Sequence, residues 1–158
     1  MNAGKALFLV SMLALLVPVV MAADAAADSS LGTWKLNVTK STFGSGVAPK
    51  SETRTYSAIS LGTHVVIESE DASGKKTKAE TLLTYDGQPQ KIVGNEDFDT
   101  VTTKRVDKYE TTADLIKGGK VVGSLRRLVS KDGKTMSINQ KLLKADGSTE
   151  TSMGVYER

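Results

Sequence analysis

Turn dipeptides recur along this chain at intervals too short for helices. Asp86-Gly87, Asp132-Gly133 and Asp146-Gly147 can adopt the positive φ angles that tight hairpins need, and Ser73-Gly74 and Gly118-Gly119 can serve the same purpose. From Gly32 onward no helical period of apolar residues bridges these turns. The segments between them are β-rich, and their spacing predicts an all-β meander. Candidate strands cover 32–38, 51–59, 63–70, 76–85, 90–94, 99–107, 109–117, 120–130, 134–143 and 148–157. The fifth is the weakest, because Pro89 and Gly94 crowd it.

Alternation within the segments assigns faces. Met136, Ile138, Gln140 and Leu142 oppose Ser137, Asn139 and Lys141, a mostly apolar face against a polar one. Ala79, Thr81, Leu83 and Tyr85 oppose Lys78, Glu80 and Thr84, with Leu82 out of pattern. Val65 and Ile67 oppose His64 and Glu68, and Val66 blurs that division. In the eighth segment Val121, Gly123, Leu125, Arg127 and Val129 share one face, which places a charge on the interior side. Such a charge needs a carboxylate, hydroxyls or a ligand anion. Alternation turns Arg127 inward and Arg126 outward; a one-residue bulge would exchange them.

Consecutive hairpins in an open sheet leave two unpaired edges, and closure removes both. A β-sandwich uses longer crossing connections, and only one long connection is present, from Thr39 to Lys50. The expected fold is all-β: a single antiparallel up-and-down β-barrel of about eight to ten strands.

The first residues have a different character. Met1 to Ala22 reads as a signal peptide: Lys5 supplies the positive end, and Ala6 to Val20 is apolar apart from Ser11 and Pro18. That run is short of the ~20 apolar residues of a membrane span. Residues 23–30 then form a flexible tether, and 31–158 form the barrel domain. The expectation is an exported protein, periplasmic or secreted, without stable membrane insertion after cleavage and monomeric.

Composition narrows the chemistry. Cysteine is absent, which removes disulfides and thiolate metal sites. His64 is the sole histidine, so multi-histidine metal centres and most Ser-His catalysis are excluded. The 21 Lys+Arg and 18 Asp+Glu are interspersed and give no nucleic-acid footprint. Glu68, Glu70 and Asp71, and Asp97 with Asp99, lie near turns and match no calcium loop. No nucleophile elbow or phosphate-cradling loop is present. No enzyme, metal or cofactor is expected.

Leu31-Gly32-Thr33-Trp34-Lys35-Leu36 holds the single tryptophan. Its Gly-x-Trp resembles the signature of the calycin superfamily, and the stretch is most similar to the fatty-acid-binding proteins. Leu125-Arg126-Arg127-Leu128 before Asp132-Gly133, and the closing Val155-Tyr156-Glu157-Arg158, fit the same layout. The chain also resembles small exported lipocalin-like proteins of bacteria. The resemblance implies that Gly32 and Trp34 form a structural plug at the narrow end of the barrel, with the indole against an arginine stem. Two departures stand out. The connection from Thr39 to Lys50 is too short for a two-helix lid. The carboxylate-holding Arg-x-Tyr of the last strand is here Gly154-Val155-Tyr156, so that clamp is incomplete unless Arg126 or Arg127, together with Arg105, replaces it.

These readings lead to a carrier of a small hydrophobic or amphipathic ligand inside the barrel. Its expected lining is Tyr56, Ile67, Leu83, Tyr85, Leu125, Met136, Ile138 and Tyr156, with Arg127 at the polar end and Tyr56 and Tyr156 as its neutral partners. The alternative is a solid barrel acting through its surface, as a protein-interaction module or a protease inhibitor using the N-terminal tether. The leader makes a direct prediction: the exported protein begins at Ala23 or within two residues of it. N-terminal sequencing of the exported fraction checks this, and a chain starting at Met1 would refute it.

Overall fold

The computed structural model describes residues 28–44, 46–144 and 146–158. The leader and residues 23–27 of the expected tether lie outside the described residues. Ten strands follow one another: β1 (Gly32–Leu36), β2 (Ser51–Ile59), β3 (Gly62–Glu70), β4 (Lys76–Leu83), β5 (Gln90–Val93), β6 (Thr100–Arg105), β7 (Glu110–Lys117), β8 (Lys120–Val129), β9 (Thr135–Leu143) and β10 (Thr149–Glu157). Each pairs antiparallel with the next, and β10 returns to β1, so the sheet is a closed up-and-down barrel. The layout is consistent with a calycin-like barrel. Among the described residues the helical content is one 3-10 turn, Val38–Lys40, in the connection from β1 to β2. No helix among them is long and apolar enough to cross a membrane.

The barrel is stitched unevenly. β2 and β3 pair over nine residues, and β9 and β10 likewise. The closing seam has two strand pairs, Lys35↔Glu157 and Leu36↔Tyr156, and continues beyond the 3-10 turn through the isolated bridge Thr42↔Met153. β5 is held by two pairs on each side: Glu80↔Val93 and Thr81↔Ile92, then Gln90↔Val101 and Lys91↔Thr100. Its weakness has the expected cause at Gly94. That residue leaves the strand at φ +80°, and a Cβ there would lie 2.0 Å from the Lys78 carbonyl oxygen.

Two face assignments need correction. On β8 the register jumps, with Leu115 opposite Gly123 but Ile116 opposite Val121. The extra residue is a bulge that reverses the alternation at the start of the strand. Val121 is therefore exposed, and Val122 packs against the core in its place. Beyond the bulge the assignments hold: Arg127 is buried, and Arg126 lies outside, bonded to Glu110 by Nε at 2.7 Å and Nη2 at 2.9 Å. β4 ends at Leu83, two residues earlier than the pattern indicates. Tyr85 takes φ +61° and turns across the barrel end instead of extending the strand.

One end of the barrel is sealed. Trp34 is fully buried there, and its indole N–H donates to the Ser30 carbonyl at 2.6 Å. The Arg158 guanidinium stacks 4.4 Å from the ring centroid and donates to the carbonyls of Leu31 and Gly133 at 2.7 and 2.6 Å. Arg158 is thereby fastened to the residue before β1 and to the turn between β8 and β9. Leu115 and Met136 are also among the fully buried side chains. Trp34→Ala is expected to cost about 3–5 kcal/mol, the range for deleting a buried aromatic. Urea melts read the loss. Wild-type emission is expected to be blue-shifted and poorly quenched by acrylamide, and freely quenched emission would contradict the sealed end.

Candidate functional site

A cavity of about 250 Å³ runs through the barrel interior. At roughly 30 Å³ per water it corresponds to about eight water-sized volumes, below the ~300 Å³ at which drug-sized sites begin. Its walls are the inward faces of β2 to β9. Apolar lining comes from Val65, Ile67, Leu83, Ile92, Leu125 and Ile138, among others. Away from the sealed end it reaches the exposed Asp97, on the connection from β5 to β6. Phe98 of the same connection is buried at that mouth, in a turn where the Asn95 side-chain oxygen accepts from the amides of Asp97 and Phe98 at 2.9 and 3.0 Å.

Of the expected lining, Tyr56, Ile67, Leu83, Leu125, Arg127 and Ile138 do line this cavity. Tyr85, Met136 and Tyr156 do not. Met136 is fully buried in the core around Trp34, Tyr85 covers the sealed end, and the Tyr156 hydroxyl is bound up in a polar cluster described below. Gly32 stands beside Arg158, where an added Cβ would be 3.3 Å from its guanidinium.

Two guanidiniums line the cavity, Arg127 beside Asp28, which Arg105 also contacts, and Arg54 beside Glu52. The first is Arg127, 4% exposed. Its Nη2 donates to Thr111 Oγ1 at 2.9 Å, Tyr85 Oη at 3.2 Å and Asp28 Oδ1 at 3.4 Å, and its guanidinium lies 4.9 Å from the Tyr56 ring centroid. Tyr56 is thus the neighbour expected of it, whereas Tyr156 belongs to the other arginine. Asp28, 6% exposed, was expected in a loose tether. It is instead part of a packed stopper, because its carboxylate accepts from five residues on different elements and would be costly to leave half-solvated. Burial alone would raise its pKa, but Arg127 and hydrogen bonds from Ser30 and Tyr85 outweigh that and hold it below the ordinary value. Arg127 stays charged, since Tyr56, Tyr85 and Asp28 overcome the burial that would favour its neutral form.

The second centre is Arg54, which alternation places on one face of β2 with Glu52 and Tyr56. Its Nε donates to Glu52 Oε1 at 2.6 Å and to Tyr156 Oη at 3.1 Å. The Tyr156 hydroxyl donates to the same Glu52 oxygen at 2.6 Å, and Ser69 donates to the other at 3.3 Å. Burial raises the Glu52 pKa, but Arg54, Tyr156 and Ser69 bring it below normal. The Tyr156 phenol is pushed well above its usual pKa by burial, with Glu52 adding to the effect and Arg54 opposing it. Gly154, where the resemblance implies an arginine, has a steric role here: a Cβ would lie 2.8 Å from the Tyr156 ring. The ring leans back along its strand over that gap to reach Glu52.

Neither a family model, nor a curated protein, nor a solved structure matches this chain. The site is therefore read from its own geometry. Glu52, Arg54 and Asp28 are absent from the expected lining. The first two were legible in principle, because Glu52-x-Arg54-x-Tyr56 has the period of one strand face. Asp28 had no such signal, since it precedes the first strand. The carboxylates considered for metal or acid–base work stay on the surface. Asp71 caps a turn by accepting from Ser73 N at 2.8 Å, Glu70 lies 3.6 Å from Lys50, and Asp99 accepts from Gly118 N at 2.9 Å. His64 faces Glu80 on the outer wall at 3.3 Å.

Removing one partner of the second centre has a signed consequence. Arg54→Met leaves Glu52 charged without its cation and is expected to cost about 3–5 kcal/mol at neutral pH. In the wild type the depressed Glu52 pKa contributes stability above the unfolded value of ~4.3, and this is lost as pH falls through the folded value. In the variant burial instead raises that pKa, so protonation relieves the penalty. The gap between the two proteins is expected to narrow as pH drops through ~4.3, read by urea melts across that range. A gap independent of pH would show that Glu52 is not the stranded group.

Proposed function

We propose that the barrel binds a small amphipathic molecule in its interior cavity, outside the cytoplasm and without catalysis. The observation that carries this reading is a cavity of mixed apolar and hydroxyl-bearing wall into which two arginines project, one of them with an unused hydrogen-bond donor. Arg127 lines the cavity, and its Nε, buried from solvent, has no partner among the described residues. Arg54 donates only from Nε to described side chains, which leaves the outer edge of its guanidinium for a polar group. The volume suits a body of about eight to ten heavy atoms, at roughly 30 Å³ for a water-sized unit. Medium-chain acids or alcohols have that size. The modest volume also favours the second reading, a barrel acting through its surface. The version of that reading in which the N-terminal tether reaches into a partner has less support, because Asp28 to Ser30 already fill this barrel's own end.

The test has two arms. Native mass spectrometry of protein purified from an exporting host is expected to show a co-purifying small molecule. Calorimetry is expected to show saturable binding of octanoate or octanol, which Ala113→Leu, by filling the cavity, abolishes while the protein remains folded. A bare protein mass together with no binding of either probe would overturn the reading in favour of the surface.

A further inference from the structure

The wall of the sealed end is assembled as a receptor for a carboxylate. Thr63 comes from the start of β3, Tyr85 from beyond β4, Arg105 from the end of β6 and Arg127 from the end of β8. All four converge on Asp28, which belongs to no strand. Thr63 Oγ1 donates to Oδ2 at 3.2 Å, the Tyr85 hydroxyl donates to the same oxygen, and Arg105 Nη2 lies 3.5 Å from it. On Oδ1, Arg127 Nη2 is 3.4 Å away, while the Ser30 amide and hydroxyl donate at 3.0 and 2.6 Å. A carboxylate has about four lone-pair sites, so these donors saturate it. Asp28 is delivered by a short segment with fastenings of its own: Ser29 Oγ donates to the Lys108 carbonyl at 2.6 Å, and the Ser30 carbonyl accepts from Trp34. The wall residues supply donors and positive charge, and the acceptor arrives on a separate piece of chain.

We propose that the sealed end is a carboxylate subsite which the chain fills from within with Asp28, and which accepts a small external monocarboxylate once that side chain is cut back.

Chemical rescue tests the subsite. Asp28→Ala removes the carboxylate and leaves space for formate or acetate. Its melting temperature at pH 7 is expected to fall in sodium chloride and to recover at least half of the loss, saturably, in sodium formate of equal ionic strength. Wild type is expected to be indifferent to the exchange of salts, and Asp28→Ala/Arg127→Gln to show no rescue. If the single variant does not fold in chloride, the same comparison is made by refolding from urea, with formate expected to restore the emission of buried Trp34. Equal behaviour in formate and chloride in both formats, or rescue that persists in the double variant, overturns the subsite. This result does not depend on whether wild type binds any amphiphile, so its failure is separable from failure of the cavity reading.

Discussion

A guanidinium inside a β-barrel keeps its charge, because no protein environment readily deprotonates it. Much of this interior follows from that constraint. A barrel of ten strands offers mostly apolar wall, and an unpaired buried charge there would cost more than a small domain can spare. Each interior arginine is therefore matched by one carboxylate, an aromatic ring and hydroxyls. Arg127 has Asp28, Tyr56 and Thr111; Arg54 has Glu52, Tyr156 and, through Glu52, Ser69. The two centres are not equivalent. Glu52 stands two residues from Arg54 on the same strand face, so that pair forms with the strand. Asp28 reaches Arg127 only when the barrel has closed and the preceding segment has folded into its end. The first pair is local, whereas the second reports completion of the fold.

The architecture was legible because hairpin chemistry is local. Asp-Gly and Gly-Gly pairs mark turns wherever they stand, and the strand bounds they imply differ from the observed ones by two residues at most. Closure was legible too, since a run of hairpins without long crossovers has few other ways to hide its edges. What escaped were features set by nonlocal geometry. Nothing in Val121-Val122-Gly123 announces a bulge; it follows from how β8 must meet Leu115 and Ile116 of β7. Asp28 sits in an alanine-rich stretch with the composition of a tether, and only the cluster of Thr63, Tyr85, Arg105 and Arg127 gives its carboxylate a place. Tyr156 shows the same limit. Its burial was readable from the strand, but its partner was not, because the direction of the ring depends on the missing side chain at Gly154.

The site was legible in part for a related reason. Alternation identifies inward residues, and six of the expected lining residues do face the cavity. It cannot say where along the barrel axis the packing is solid. Met136 faces inward as expected but is fully buried in the same core cluster as Trp34, outside the cavity lining. Glu52 and Arg54 were passed over because charged residues on a strand ordinarily mark its outer face, an inference that fails when opposite charges alternate on the inner one.

The two ends of the barrel differ in how firmly they are held, and this bears on how the cavity communicates with solvent. The sealed end joins both ends of the barrel domain. Arg158 bonds to Leu31 and Gly133, Trp34 to Ser30, and Asp28 to four elements of the wall. Opening it would expose the indole and uncouple a buried ion pair at once. On the opposite side, β5 is joined to each neighbour by two residue pairs, and the connection after it places Phe98 over the cavity. Between Gly94 and Phe98 that connection is held by the bonds to the Asn95 side chain and from Lys117 to the Glu96 carbonyl, and it is anchored at Asp99, which bonds to Ile92, Ile116 and Gly118. Local opening costs least where few hydrogen bonds and little buried surface must be given up. The path of lowest cost into the cavity therefore runs past β5 and Phe98. A molecule using it would enter past Asn95 and Asp97 and meet Arg127 only at the far, sealed end.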